Sequence, residues 1–155
     1  MKTKRKLIRQ QLDARLETLR PLRDFPLPPR GWIRALRDAL GMSGRQLADR
    51  LGVTKQREAR IEKDEMEGAL SLKTLRRVAE ALDCVFVYGL VPRTSLEGIV
   101  RDRAQRVARE RIEQANQTMQ LEDQGLSEEE KRAALEEMAE DLVRAMPASL
   151  WDGPR

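Results

Sequence analysis

The sequence predicts a mainly α-helical fold, and three observations carry that prediction. Apolar residues recur at helical spacing along most of the 155 residues. Aromatic residues make up only 3%, so the core has to be built from Leu, Val, Ile, Ala and Met. Ser, Thr and Gly stand where helices start and stop. The totals also narrow the function. The 30 Lys and Arg against 26 Asp and Glu leave a net charge of +4, mildly favourable for a phosphate backbone. With no histidine, acid–base catalysis and metal binding lose their commonest residue. No nucleophile–base pair, Gly-rich phosphate loop or metal-ligand spacing is present, so an enzyme, a cofactor and a metal site are not expected. The single cysteine, Cys84, excludes an internal disulfide, fits a reducing cytoplasm and reads as a core residue. No apolar run reaches the roughly 18 residues of a membrane span. The basic Met1–Lys6 leads into a charged amphipathic stretch and not into an apolar signal core.

The elements follow in order. Residues 3–20 predict a helix with Ile8, Leu12, Leu16 and Leu19 on one face and Lys4, Arg5, Lys6, Arg9 and Arg15 around it. It is read either as packed on its own domain or as an exchanged dimer arm or basic DNA arm. Four prolines in Pro21–Pro29 end it in an extended connector. A second helix is expected over Gly31–Leu40, with Trp32, Ile33, Leu36 and Leu40 as its stripe. A third over Gly44–Leu51 is capped by Ser43, and a fourth over Thr54–Lys63 is capped by Thr54. An acidic loop, Asp64–Ala69, precedes a helix over Leu72–Leu82 capped by Ser71. The segment Cys84–Pro92, CVFVYGLVP, is β-branched and aromatic and predicts one short β-strand. With no second strand in the chain, it asks for a copy of itself, the edge of another protein, or an unpaired existence. A long helix over Ser95–Glu122 is expected to open on a Thr94/Glu97 capping box, with Met119 closing its apolar line. A second capping box, Ser127/Glu130, opens a helix to about Met146, which completes a C-terminal helical hairpin. Trp151, in the tail, reads either as a cover for an apolar patch or as an anchor for a partner. Three regions result: a helical arm with its Pro-rich connector (1–30), a core with the strand (31–92), and the hairpin with its tail (93–155).

Met42–Asp64, MSGRQLADRLGVTKQREARIEKD, contains the motif that names a ligand class. Leu47, Ala48 and Leu51 line one short helix, Gly52 turns the chain, and Val53 and Ile61 anchor the next. This is a helix-turn-helix, whose second helix is built for the major groove of double-stranded DNA. The expected base readers are Thr54, Lys55, Gln56, Arg57 and Arg60, since Gln bonds adenine and Arg or Lys bonds guanine in bidentate geometry. Ser43, Arg45 and Arg50 are the expected phosphate contacts. Glu58 argues the other way. It stands at an inward position, with Glu62 on the same side near Arg57 and Arg60; it is read either as paired with an arginine or as tilting the helix outward, and carboxylates near phosphate would weaken binding.

Over the same residues the sequence resembles the Cro/repressor-type (XRE-like) domain, which implies a lambda-repressor-like core of about five helices. Ser71–Pro92, SLKTLRRVAEALDCVFVYGLVP, followed by TSLEGIVRDRAQRVARE, resembles the bacterial family called mobile mystery protein A, whose members are typically encoded beside a Fic-domain protein. The resemblance runs from the N-terminal arm to Leu150–Trp151. It implies an antitoxin-like protein that binds DNA and restrains the Fic-type partner. The single strand and the apolar arm both ask for partners, so a homodimer is expected, and the whole reads as a cytoplasmic regulator of its own operon. The alternative is a protein-interaction inhibitor of that partner without sequence-specific DNA binding. Two residues depart from the pattern: Glu58 replaces an apolar residue, and Gly44 stands where a polar phosphate contact is common.

Overall fold

The computed structural model describes residues 2–121 and 125–153, with side chains for 4–118 and 125–153. Seven α-helices stand among them, and the chain folds as two units. Residues 24–90 form one. The described parts of 1–23 and 91–155 form the other. The N-terminal helix and the C-terminal helices thus belong to one unit.

The unit 24–90 contains α2 (Trp32–Ala39), α3 (Gly44–Leu51), α4 (Lys55–Met66) and α5 (Leu72–Ala81). These are four α-helices, not the five-helix-like core expected. Each starts where local chemistry predicts. Ser43 and Gln46 form a capping box on α3, Thr54 caps α4 through the Arg57 N–H, and Ser71 caps α5 through the Thr74 N–H. Gly52 closes α3 at φ 66°, a left-handed conformation that favours glycine. The core is Ile33, Leu47, Leu51, Ile61, Val78 and Leu82, with Cys84 packed against it. Two expectations are corrected. On α2, Ile33 is buried and Leu36 packs against the core as expected, but Trp32 and Leu40 are exposed and Arg37 is buried. And Asp64–Met66 is not loop: α4 runs through it because both carboxylates are engaged within the unit. Asp64 pairs with Arg60, and Glu65 accepts hydrogen bonds from the Trp32 and Ile33 N–H groups, capping α2.

The expected β-strand is the clearest correction. Among the described residues there is no strand, and Cys84–Pro92 runs without regular structure. A strand exists only as part of a ladder, and the chain supplies no second segment to pair with it.

The other unit contains α1 (Lys2–Glu17), a 3-10 turn at Arg20–Asp24 that belongs to it as far as residue 23, α6 (Leu96–Leu121), α7 (Glu128–Ala145) and a 3-10 turn at Ala148–Trp151. The expected helix end at Glu122 and the side chain of Met119 lie outside the described residues. Val100, Ala104, Val107 and Ala108 of α6 meet Ala139 and Leu142 of α7; the alanines let the helices approach closely. Leu150 is fully buried in this cluster, whereas Trp151 is half exposed, so the tail anchors through its leucine. Arg103 is buried. It donates to the Leu150 carbonyl at 2.7 Å and to the Asp152 carbonyl. At the start of α7, Ser127 and Glu130 form the expected capping box; the Ser127 hydroxyl and backbone N–H hold the Glu130 carboxyl below its usual range.

The start of α6 differs from expectation. Thr94 and Glu97 do not form a box. The Ser95 hydroxyl accepts from the Gly98 N–H, and Asp13 of α1 accepts from Leu96 N–H at 2.7 Å and Glu97 N–H at 3.1 Å. Glu97 instead meets Arg9 at 2.9 Å. Thus α1 packs through its polar residues, Arg9 and Asp13, while Ile8 and Leu12 of its apolar stripe remain exposed. A carboxylate on two terminal N–H groups also complements the helix dipole. Asp13→Ala is expected to lower stability by about 1–2 kcal/mol in urea unfolding; an unchanged midpoint would show that α6 does not need this cap.

Candidate nucleic-acid interface

The two sides of α4 differ sharply in chemistry. Glu58 and Ile61 are buried and Glu62 and Glu65 half-buried, so these four define the inward side. Lys55, Gln56, Arg57, Ala59, Arg60 and Lys63 are exposed. At 100° per residue, Gln56, Arg60 and Lys63 fall along the line opposite the inward side, flanked by Lys55 and Arg57. The outer face of this helix is therefore basic and amide-bearing, and its four inward or half-buried carboxylates (Glu58, Glu62, Asp64 and Glu65) are engaged inside the unit.

The inward carboxylates surround one cation. Arg37 of α2 is buried; its Nε lies 2.6 Å from Glu62 Oε1 and 3.6 Å from Glu58 Oε1, and its Nη1 donates to the Met42 carbonyl at 2.8 Å. Arg34 lies 3.9 Å from Glu62. The hydrogen bond with Glu62 holds Arg37 more firmly protonated than usual, against the opposing effect of burial. Glu58 is only 3% exposed, and its Oε1 has no hydrogen-bond partner among the described residues. Burial first, then a hydrogen bond and repulsion with Glu62, push its carboxyl up to about 7, with Arg37 and Arg34 pulling the other way. One arginine thus faces three carboxylates, Glu62, Glu58 and, through Nη1 at 2.8 Å, Asp38.

Glu58 is therefore paired with an arginine, one of the two readings of its sequence position, but the arginine is Arg37 of α2 and not Arg57 or Arg60. This arrangement also joins the two departures from the repressor pattern. A Cβ at Gly44 would lie 2.6 Å from Glu58 Oε2, so the Glu58 carboxylate fills the space that a side chain at position 44 needs. Glycine on α3 and glutamate on α4 are one packing solution. Arg37 was missed by sequence reading; its signal was an arginine four residues after Ile33, facing the i, i+4 carboxylates Glu58 and Glu62.

A helix-turn-helix family model matches residues 33–86. Residues 33–86 are a helix-turn-helix domain of the XRE type. No curated protein and no solved structure matches the chain. The domain supports a DNA-binding transcription regulator. In the helix-turn-helix domain α3 is the first helix of the motif and α4 the second. Lys55, Gln56 and Arg57 stand exposed in the first turn of α4, and Arg45 is exposed in the first turn of α3. The other four expected contacts have partners within the protein. Thr54 and Ser43 accept backbone N–H groups as caps, Arg60 Nε bonds Asp64 at 2.7 Å, and Arg50 donates to the Ala81 carbonyl at 3.0 Å. The exposed Lys63 was not anticipated. A groove of about 690 Å³ lies in the other unit, with Leu135, Ala139, Val143 and Met146 of α7 on one wall and charges of both signs around them. No group of metal-ligating side chains occurs among the described residues.

Two predictions follow from the buried cluster. Glu58 holds a proton up to about pH 7 when folded, against an ordinary value of 4.5. The folded chain therefore binds more protons between these values. The stability this group contributes is complete below about pH 4.5 and is lost as pH rises to 7, by up to about 1.4 kcal/mol per unit. Glu58→Gln is expected to flatten that slope and to be the more stable protein at pH 8 in urea melts; a parallel pH profile would contradict the assignment. Separately, Gly44→Ala is expected to cost about 1–2 kcal/mol alone but to be neutral or stabilising in a Glu58→Ala background. Additive costs in this double-mutant cycle would show that the two residues are not coupled.

Proposed function

We propose that the chain is a cytoplasmic, DNA-binding transcription regulator that works as a homodimer and as the antitoxin of a Fic-type pair. In this reading it autoregulates its operon and restrains the Fic-domain partner encoded nearby, without being an enzyme itself. The observation that carries the DNA part is the outer face of α4, where Lys55, Gln56 and Arg57 are exposed in the first turn while Glu58 and Glu62 face Arg37. Gln56 and Arg57 read bases, with Lys55, Arg60 and Thr54 beside them, and Arg45 holds a phosphate together with Ser43 and Arg50. Two copies set two such helices about one DNA turn apart, on a palindromic site. The antitoxin part is supported by the resemblance of residues 71–92 and of the stretch after them to mobile mystery protein A. The competing reading, an inhibitor that no longer reads DNA, leaned on Glu58 as a repulsive surface charge; its burial on Arg37 removes that support.

The test is fluorescence anisotropy on the chain's own upstream DNA against scrambled DNA at two salt concentrations. Gln56→Ala and Arg57→Ala are each expected to weaken upstream binding by about 5- to 150-fold and to leave scrambled DNA little changed. Arg45→Ala is expected to weaken both alike and to reduce the salt slope by about one. An unchanged sequence preference in the first two would remove α4 as the reader. Co-elution of the chain with the neighbouring Fic-domain protein in size-exclusion chromatography tests the partner; separate elution would contradict it.

A further inference from the structure

The end of the helix-turn-helix unit carries a segment whose bonding capacity is unused. Val85, Val87 and Leu90 are 87%, 78% and 88% exposed, and Tyr88 is exposed beside them. No backbone hydrogen bond among the described residues engages 85–90. Within it the Phe86 and Tyr88 rings stack with centroids 6.0 Å apart, which puts them on one side as i and i+2 residues of a β-strand are. That side begins at Cys84, which packs on the core of the unit, and continues through the half-buried Phe86.

We infer that Cys84–Leu90 pairs antiparallel with the same segment of a second copy of this chain, forming a two-stranded ribbon across the dimer axis. The inference rests on the homodimer of the proposed function and names its surface. Two features select a second copy as the occupant. In a chain that is 36% charged, Val85–Leu90 carries no charge to choose a foreign edge. It is also self-complementary. With Val87 opposite the partner's Val87, Phe86 meets the partner's Tyr88 and Cys84 meets the partner's Leu90, so every pair on the side that starts at Cys84 is apolar or aromatic, and two are aromatic pairs. The small Gly89 then faces the partner's Val85. Pairing satisfies backbone groups that a single chain leaves to water and covers a patch that otherwise invites aggregation.

The full-length protein tests this by light scattering coupled to size exclusion and by cysteine cross-linking in a Cys84→Ser background. Val87→Cys is expected to form a disulfide-linked dimer at least about 10-fold faster than Val85→Cys or Tyr88→Cys, because only position 87 meets its own copy. With Val87 at a non-hydrogen-bonded position, Phe86 and Tyr88 exchange ladder bonds. Tyr88→Pro then deletes two of them by symmetry and is expected to raise the dimer dissociation constant about 100-fold, with helical circular dichroism unchanged. A monomer at all concentrations overturns both this pairing and the homodimer. A dimer that ignores Tyr88→Pro, or that cross-links equally at all three positions, overturns the pairing and leaves the homodimer standing. Loss of sequence-specific DNA binding in a protein that still cross-links at 87 would refute the regulator and not the ribbon. If Tyr88→Pro fails to fold, the cross-linking selectivity decides alone.

Discussion

A buried arginine that has to be matched across helices organises the helix-turn-helix unit. Arg37 comes from α2, where it also meets Asp38 at 2.8 Å; its partners Glu62 and Glu58 come from α4, and its carbonyl partner is Met42. Removing one side of such a group leaves an uncompensated charge in the core, a loss on the order of 3–5 kcal/mol. The pairing also sets the rotation of α4: with Glu58, Ile61, Glu62 and Glu65 inward, Gln56, Arg60 and Lys63 must point away. Structure and proposed function meet at this point. The same contacts that hold the helix remove its negative charge from the face offered to DNA.

The cost of this design is an excess of carboxylate. Glu58 shares one guanidinium with Glu62 and Asp38, and burial makes it hold a proton near neutrality. The space for it comes from Gly44 on α3, so a position that often contacts phosphate in similar domains is spent on packing. Phosphate contact at the start of α3 then falls to its neighbours, Ser43 as a half-committed cap and Arg45 as an exposed cation. Arg50, tied to the Ala81 carbonyl, joins α3 to the end of α5.

The legible parts of the sequence were those decided within a few residues. The caps Ser43, Thr54, Ser71 and Ser127 and the turn at Gly52 depend on neighbours three or four positions away, and the helices they bound stand within a turn of where local chemistry puts them. Partners distant in the chain were not legible. Asp13 caps a helix 83 residues on, Glu65 caps one 33 residues back, and Arg37 finds Glu62 25 residues away. Each replaced a plausible local reading: a Thr94/Glu97 box, an acidic loop, an apolar stripe on α2. The strand expectation failed for a related reason. Val85–Tyr88 has the side chains of a strand, and Phe86 and Tyr88 stack on one side, but a ladder is a property of two segments and no second one stands among the described residues.

The most direct test is to map backbone amide shifts by NMR as the chain's own upstream DNA is added. The account predicts perturbations centred on residues 43–46 and 54–60, at the first turns of α3 and α4, with the arginines exposed on α6 little affected. Shifts concentrated instead on Arg101, Arg106, Arg109 and Arg111 would contradict it, placing the DNA on the long helix and leaving the helix-turn-helix as a scaffold.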